Sequence, residues 1–166
     1  MTSSIFADIL AELEGRGLKL AIAESLTGGL VSSNFVAVEG ASKVLLGSLV
    51  AYQDVIKEKM LDVPANLLAA RGAVSAEVAI SMATGAREHF AHASAIAIEN
   101  VVAIATTGVA GPDAQGSIAA GTVFVAIHGA NQEPVVAGFA FDGDRTQVRE
   151  QASAAIAGLL WDYLRK

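Results

Sequence analysis

The sequence reads LKLAIA at residues 18–23 and then ESLTGG at residues 24–29. The first segment is a short apolar run typical of a buried strand, and the second opens a stretch with helical apolar spacing. A serine and two glycines therefore lie where a strand turns into a helix, where unpaired backbone N–H groups face the crevice of an α/β sheet. Ser25 is suited there to capping the helix, binding a phosphate or attacking a carbonyl group, and the segment alone leaves these alternatives open.

Strands and helices alternate through most of the chain. The apolar spacing predicts a helix at residues 27–38, a strand at 47–52, a long helix at 76–92 and a strand most clearly at 101–105. Residues 121–128 and 134–141 read as two antiparallel strands joined by the short connection 129–132, and a final helix follows residues 142–144. We expect one domain, residues 1–166, with a three-layer α/β/α sandwich and a mixed, mostly parallel sheet of about five strands.

The composition excludes several classes of function. Hydrophobic residues make up 53% of the chain but aromatic residues only 5%, so we expect an aliphatic, alanine-rich core in which helices lie close to the sheet. The absence of cysteine excludes disulfides and a cysteine nucleophile and fits a cytoplasmic location. The net charge of −6, without a cluster of basic residues, argues against nucleic acid as a partner. No apolar stretch of about 18 residues is present, so no membrane association is expected.

Three polar loops each follow a predicted strand. They are residues 25–29, 52–57 and 106–113, and the last of them begins a glycine-rich segment. If the strands are parallel neighbours, the loops meet at the carboxyl edge of the sheet and line one crevice. A lysine whose pKa is lowered there, such as Lys57, can act as the base that a nucleophilic Ser25 needs. The pattern predicts a Ser/Lys pair.

Six motifs in this order resemble the CinA C-terminal domain family. They are AESLTGG at 23–29, Tyr52 with Lys57, GAVS at 72–75, TGVAGPD at 107–113, GTV at 121–123 and GDR at 143–145. The resemblance covers nearly the whole chain and implies a three-layer α/β/α fold. It also implies a nicotinamide-nucleotide amidase, which hydrolyses nicotinamide mononucleotide to nicotinate mononucleotide and ammonia in pyridine nucleotide recycling. Longer relatives carry a further N-terminal pyrophosphatase domain, for which we expect no room in this chain.

The resemblance also implies roles for individual residues. Ser25 would be the nucleophile and Lys57 the base, with Tyr52 and Thr107 beside them. Backbone N–H groups of the 27–29 turn and of the 108–111 loop would hold the oxyanion and the phosphate, together with Arg145. The substrate-binding residues are thus predicted to be Thr27, Gly28, Gly29, Gly108, Ala110, Gly111 and Arg145. No cofactor or metal is expected, because His89 and His92 have no third ligand nearby.

The chain departs from the family pattern at four places. Leu26 replaces a small residue after the serine, Gln53-Asp54 replaces Ser-Asn before the lysine, and Ala114-Gln115 replaces paired glycines. The stretch at residues 92–100 is also several residues longer than is usual in the family. These changes keep two alternatives open. One is a catalytically silent paralogue that binds a nucleotide or a partner protein, and the other is an amidase for a different carboxamide.

Structural interpretations of the same residues also stay open. Lys57 alone would be a solvated helix residue, and residues 108–112 would be a turn without a ligand. Arg145 and Arg149 are as well placed to pair with Asp142, Asp144 or Glu150 as to bind a phosphate. Glu24 would either orient the proposed catalytic pair or satisfy backbone groups at its turn. Alanine-rich helix faces are compatible with a homodimer or larger homo-oligomer.

Overall fold

A five-stranded sheet forms the middle layer of the computed structural model, which describes residues 4–129 and 132–166. The strands are β1 (Lys19–Glu24), β2 (Leu45–Val50), β3 (Val101–Gly108), β4 (Thr122–His128) and β5 (Val135–Ala140). The helices are α1 (Ile5–Gly15), α2 (Leu30–Val36), α3 (Asp54–Leu61), α4 (Ala65–Arg71), α5 (Ala76–Ser94) and α6 (Arg145–Leu164). Short 3₁₀ turns at Ala41–Lys43 and Ile98–Asn100 precede β2 and β3.

The sheet has the strand order β2-β1-β3-β4-β5. β1 pairs in parallel with both β2 and β3, whereas β4 is antiparallel to both β3 and β5. Four strands therefore run in one direction and β4 runs in the other, which confirms the predicted mixed, mostly parallel sheet. The carboxyl ends of β1, β2 and β3 lie at one edge, so the three loops that follow them are neighbours.

The two faces of the sheet carry side chains of different size. Large aliphatic side chains pack against α1, α2 and α6, and they include Leu20, Ile22, Val102, Ile104, Val125 and Ile127. Alanines pack against α5 on the other face, and they include Ala21, Ala23, Ala103, Ala105 and Ala126. Small side chains let a helix lie close to a sheet, which explains how a core with few aromatic residues is filled. The predicted aliphatic, alanine-rich core is confirmed.

Several element boundaries differ from the sequence prediction. α2 begins at Leu30 rather than at residue 27, because Gly28 and Gly29 adopt left-handed backbone angles, with φ of 58° and 97°. β2 lies two residues earlier than predicted, and β3 continues to Gly108 because its end pairs with β4. The connection at 129–132 joins antiparallel strands as predicted, although residues 130 and 131 lie outside the described chain. Among the residues that the structure describes, no helix has the length and apolar character required to cross a bilayer.

Candidate active site

Ser25 begins the turn that leaves β1. Its backbone N–H donates to the carbonyl of Thr106 on the neighbouring strand (3.0 Å), and its carbonyl accepts from the N–H of Gly28 (3.1 Å). The side chain is nearly buried and lines a cavity at the carboxyl edge of the sheet. The Ser25 hydroxyl forms no hydrogen bond within residues 4–129 and 132–166. It is therefore held in place by its backbone while its oxygen stays available to a ligand.

Glu24 caps α2 from inside the protein. Its buried carboxylate accepts backbone N–H groups of Gly29 (2.9 Å), Val31 (3.1 Å) and Ser32 (2.8 Å), and the hydroxyl of Ser48 (3.3 Å). Of the two alternatives for this residue, the contacts show the second: Glu24 satisfies the backbone of its own turn. The positive end of α2 is consequently occupied by a protein carboxylate rather than open to a substrate phosphate.

Lys57 lies on α3 with only 1% of its surface exposed, so it is not the solvated residue that its type alone would suggest. Its Nζ donates to the carbonyl of Tyr52 (3.2 Å) and lies 3.6 Å from Asp54 Oδ1. Burial lowers the pKa of Lys57 because it disfavours the ammonium, and the Asp54 carboxylate partly opposes this effect by attraction. No direct hydrogen bond joins Lys57 Nζ to Ser25 Oγ in the described chain. A general base often comes within reach of its partner only when substrate is bound.

Thr107 lies at the end of β3 and is also buried. Its hydroxyl donates to the carbonyl of Ala73 (2.7 Å), which fixes the segment between α4 and α5 against the sheet. The loop after β3 is held by two backbone hydrogen bonds, from Val109 N–H to Thr122 O (2.9 Å) and from Gly121 N–H to Val109 O (2.7 Å). The glycine-rich segment is thus a fixed wall where it leaves the strand.

Arg145 begins α6 and reaches across the mouth of the cavity. It donates from Nη1 to the carbonyl of Gly111 (2.8 Å) and from Nη2 to the phenol oxygen of Tyr52 (2.7 Å). Arg149, one turn later, donates to the carbonyl of Thr27 through Nη2 (2.7 Å). In the part of the chain that the structure describes, neither arginine forms an ion pair with Asp142, Asp144 or Glu150. The alternative that these arginines pair with carboxylates is therefore wrong.

The cavity at this edge has a volume of about 640 Å³ and is bounded by all three polar loops. Eight of the predicted site residues line it, and these are Ser25, Tyr52, Lys57, Thr107, Gly108, Ala110, Gly111 and Arg145. Residues 108–111 line the cavity, and their binding of a ligand stays a prediction. The sheet topology is what brings together residues up to 120 positions apart in sequence.

Three predicted substrate-binding residues, Thr27, Gly28 and Gly29, lie outside the cavity lining. Thr27 is fully buried, and its hydroxyl is hydrogen bonded to that of Thr106 (2.8 Å). The N–H groups of Gly28 and Gly29 already donate to Ser25 O and to the Glu24 carboxylate. The structure gives all three a role in shaping the turn. A role in holding substrate stays a prediction that this geometry does not support.

The cavity is also lined by residues to which the sequence analysis assigned no catalytic or substrate-binding role. They include Leu26, Asp54, Val55, Ala73, Val74, Asp113 and Gln115. Ala73 and Val74 belong to the GAVS motif at 72–75, but their apolar side chains gave no chemical reason to assign them a role. Leu26 is a departure from the family pattern that lines the cavity and is also part of the hydrophobic core.

No group of three or more potential metal ligands occurs within residues 4–129 and 132–166. His89 instead contacts Asp62, with 2.7 Å between Nε2 and Oδ2.

These observations define an α/β/α protein whose polar cavity holds a serine and a buried lysine at the carboxyl edge of a mixed sheet. A family model described as the CinA C-terminal domain matches residues 2–164, and the chain belongs to this family. The resemblance inferred from the six motifs is thereby confirmed.

Individual relatives agree with this assignment. The chain is 42% identical over 158 residues to a CinA-like protein of Anaeromyxobacter sp. (strain K), an alignment that covers 95% of this chain and 36% of that protein. The chain thus spans about a third of the length of the curated relatives it matches. It is also similar to the crystal structure of a competence-damaged protein (CinA) superfamily protein from Escherichia coli, with a TM-score of 0.86 and 32% identity over 96% of this chain and 88% of that one. The crystal structure of a competence-damaged protein (CinA) superfamily protein from Enterobacter cloacae is similar too. It has a TM-score of 0.87 and 31% identity, and the match covers 99% of this chain and 94% of that one.

Proposed function

We propose that this protein is an amidase that hydrolyses the carboxamide of nicotinamide mononucleotide to nicotinate mononucleotide and ammonia. The observation that carries the proposal is that the buried Lys57, whose pKa is lowered by burial, lines the same cavity as Ser25, whose hydroxyl has no hydrogen-bond partner among the described residues. A lysine with a lowered pKa is neutral in a larger fraction of molecules and can accept a proton from a serine hydroxyl. Membership of the CinA family supports the same proposal.

The reaction follows as acyl transfer in two steps. Ser25 Oγ attacks the carboxamide carbon while Lys57 Nζ takes the hydroxyl proton, and the C–N bond then breaks as Lys57 returns that proton to the leaving ammonia. Water attacks the resulting ester with Lys57 again as the base, which releases the carboxylate and restores the Ser25 hydroxyl. The cycle consumes one water and needs no oxidant or reductant.

The tetrahedral intermediate needs donors for its oxyanion, and the sequence predicted those near Thr27 and Gly28. The N–H of Gly28 is already bonded to Ser25 O, whereas the N–H groups of Leu26 and Thr27 have no acceptor among the described residues. Of these two residues, only Leu26 lines the cavity, and it follows the nucleophile directly. We therefore assign its N–H to the oxyanion, an interaction commonly worth about 3 kcal/mol of the barrier.

The rest of the cavity fits a small anionic nucleotide. Its volume of about 640 Å³ lies within the range typical of small-molecule sites. Arg145 and the backbone of Gly111 bound the mouth, and they are our candidates for the phosphate. The apolar side chains of Leu26 and Val74 offer contacts for a flat ring.

The deciding experiment measures ammonia release from nicotinamide mononucleotide by the wild type, Ser25→Ala and Lys57→Ala. Ser33→Ala and Lys59→Ala serve as controls, because both residues lie on the exposed sides of α2 and α3. We expect release by the wild type and both controls, and a loss of at least about a thousandfold in the two site variants.

Three outcomes would contradict the proposal in different ways. If the wild type binds nicotinamide mononucleotide tightly but releases no ammonia, the protein is the catalytically silent paralogue. If it releases ammonia faster from another carboxamide, that compound replaces nicotinamide mononucleotide as the proposed substrate. Release that survives Ser25→Ala would exclude the mechanism.

A further inference from the structure

Asp54 and Lys57 face each other along one side of α3. Asp54 is the first residue of the helix and Lys57 follows three positions later, a spacing that places side chains on the same face. Asp54 Oδ1 lies 3.6 Å from Lys57 Nζ, and both residues line the cavity. The carboxylate side chain is 58% exposed and the lysine side chain 2% exposed. The ion pair therefore consists of a solvent-exposed Asp54 carboxylate and a Lys57 ammonium that is buried in the cavity wall.

The ammonium of Lys57 has few other partners. Of its three N–H donors, one is used by the carbonyl of Tyr52 (3.2 Å) and one faces Asp54. The third position on Nζ, which is an N–H in the ammonium and the lone pair in the neutral amine, has no partner among the described residues. The Asp54 carboxylate is thus the only charged acceptor that the described chain provides for this amine.

Other charged groups near α3 are bonded to other partners or lie on an exposed loop. Within the cavity, Arg145 is bonded to Gly111 and to the phenol of Tyr52, and Asp113 lies on the exposed loop after β3. On α5, which packs against α3, Arg87 is bonded to the carbonyls of Ile98 and Val101. The pair of His89 with Asp62 lies beyond the far end of α3. Asp54 is the charged side chain that acts on Lys57, and the attraction of its carboxylate at 3.6 Å raises the Lys57 pKa against the effect of burial.

We infer that Asp54 is a positioning residue whose carboxylate holds the Lys57 amine in the cavity wall and sets the pH range in which this amidase works. The inference rests on the proposed function, since the pH range is that of Lys57 acting as a base. With Asp54 present, Lys57 is the stronger base but is neutral in fewer molecules at low pH. Without the carboxylate, Lys57 would be neutral at lower pH but would draw the Ser25 proton less strongly.

The variant Asp54→Asn tests this inference, because the amide keeps the size and one acceptor oxygen of the carboxylate and removes its charge. Glu58→Gln is the matched control, since it removes the same charge from the same helix at a residue that pairs with Lys59 at the surface. The two readouts are kcat/KM against pH and the chemical shifts of Lys57 Nζ and Cε against pH in isotopically labelled protein. Lys57→Arg identifies the Lys57 signals.

We expect crossing pH profiles. Asp54→Asn should be about three- to tenfold more active than the wild type below the wild-type midpoint and less active on the alkaline plateau, with the midpoint moved to lower pH. The Lys57 signals should titrate at lower pH by the same amount, and Glu58→Gln should match the wild type in both readouts. A merely structural role for Asp54 would lower activity at every pH without moving the midpoint.

The inference is overturned if neither midpoint moves, or if Glu58→Gln moves them equally. Failure of the proposed function has a different signature, because no variant then releases ammonia while the Lys57 signals still shift in Asp54→Asn. In that case the coupling of Asp54 to Lys57 stands and only its catalytic use is lost. Activity with unmoved Lys57 signals leaves the amidase intact and removes the role of Asp54.

Discussion

Arg145 donates a 2.7 Å hydrogen bond from Nη2 to the phenol oxygen of Tyr52, 93 positions earlier in the chain. The same guanidinium donates from Nη1 to the carbonyl of Gly111. One side chain at the start of α6 therefore connects the loop after β2 with the loop after β3. Since both loops line the cavity, this connection sets the distance between two of its walls.

Arg145→Lys should weaken substrate binding. A single ammonium cannot span two acceptors as a planar guanidinium does. In ammonia release from nicotinamide mononucleotide, we expect KM to rise and kcat/KM to fall about tenfold, with kcat less affected. Arg165→Lys, at the opposite end of α6, should leave the kinetics unchanged. If the hydrogen bond to Tyr52 accounts for the fall in kcat/KM, the double variant Tyr52→Phe/Arg145→Lys will lose less transition-state binding free energy than the two single variants together. Additive effects would contradict this explanation.

Glu24→Gln should destabilise the protein strongly for so small a change. The carboxylate accepts three backbone N–H groups, and the amide of glutamine would present donors to some of them. We expect the free energy of unfolding to fall by about 2–3 kcal/mol, as measured by urea denaturation. Glu39→Gln is the control, because Glu39 is exposed between α2 and β2. If Glu24→Gln lowers the free energy of unfolding by less than about 0.5 kcal/mol, the carboxylate is not needed to satisfy these N–H groups.

Gly85→Ala should destabilise the protein, although alanine in place of glycine within a helix ordinarily stabilises it. A Cβ at Gly85 on α5 would overlap the carbonyl oxygen of Leu61, at the end of α3, and lie 2.6 Å from its carbonyl carbon. We expect a loss of at least about 2 kcal/mol, because backbone cannot move aside as a flexible side chain can. Gly158→Ala on α6 meets no atom within 4 Å and should stabilise by about 0.5–1 kcal/mol. Thermal and urea unfolding of the two variants provide the comparison, and equal effects would contradict the close approach.

Lys57→Met should abolish activity and stabilise the fold at neutral pH. Burial holds the pKa of Lys57 below its ordinary value, so the folded state disfavours the ammonium. Replacing it with an apolar side chain should raise the free energy of unfolding by about 1 kcal/mol.

The sign of the pH dependence follows from the same shift. Between the lowered pKa and the ordinary value of about 10.4, the unfolded wild type binds more protons than the folded one, so wild-type stability rises with pH in that range. The difference in the free energy of unfolding between Lys57→Met and the wild type should be largest below this pH range and become smaller as pH rises through it. Urea denaturation at several pH values measures the gap. A constant gap would show that Lys57 is not desolvated.

Local patterns were enough to predict the architecture, because apolar periodicity and turn residues act over short distances. The separation of β1, β2 and β3 by helices predicted their parallel pairing, and the brief connection after β4 predicted the reversed strand. Element ends were less predictable. The start of α2 depends on the Glu24 side chain, which reaches back over the turn that follows it and leaves Gly28 and Gly29 to form that turn.

Some features of the candidate site could likewise be predicted from the sequence, and others could not. The sequence alone determined that polar side chains follow successive parallel strands, so Ser25, Lys57 and Thr107 could be expected at one edge. Tertiary structure alone decided which backbone donors remain open, since Glu24 and Ser25 occupy those of Gly29 and Gly28. It also decided that Arg145 contacts Tyr52 rather than a nearby carboxylate, and that Lys57 is buried beside Asp54. Partners and burial of this kind depend on distances between segments far apart in the chain, which no local pattern of residues contains.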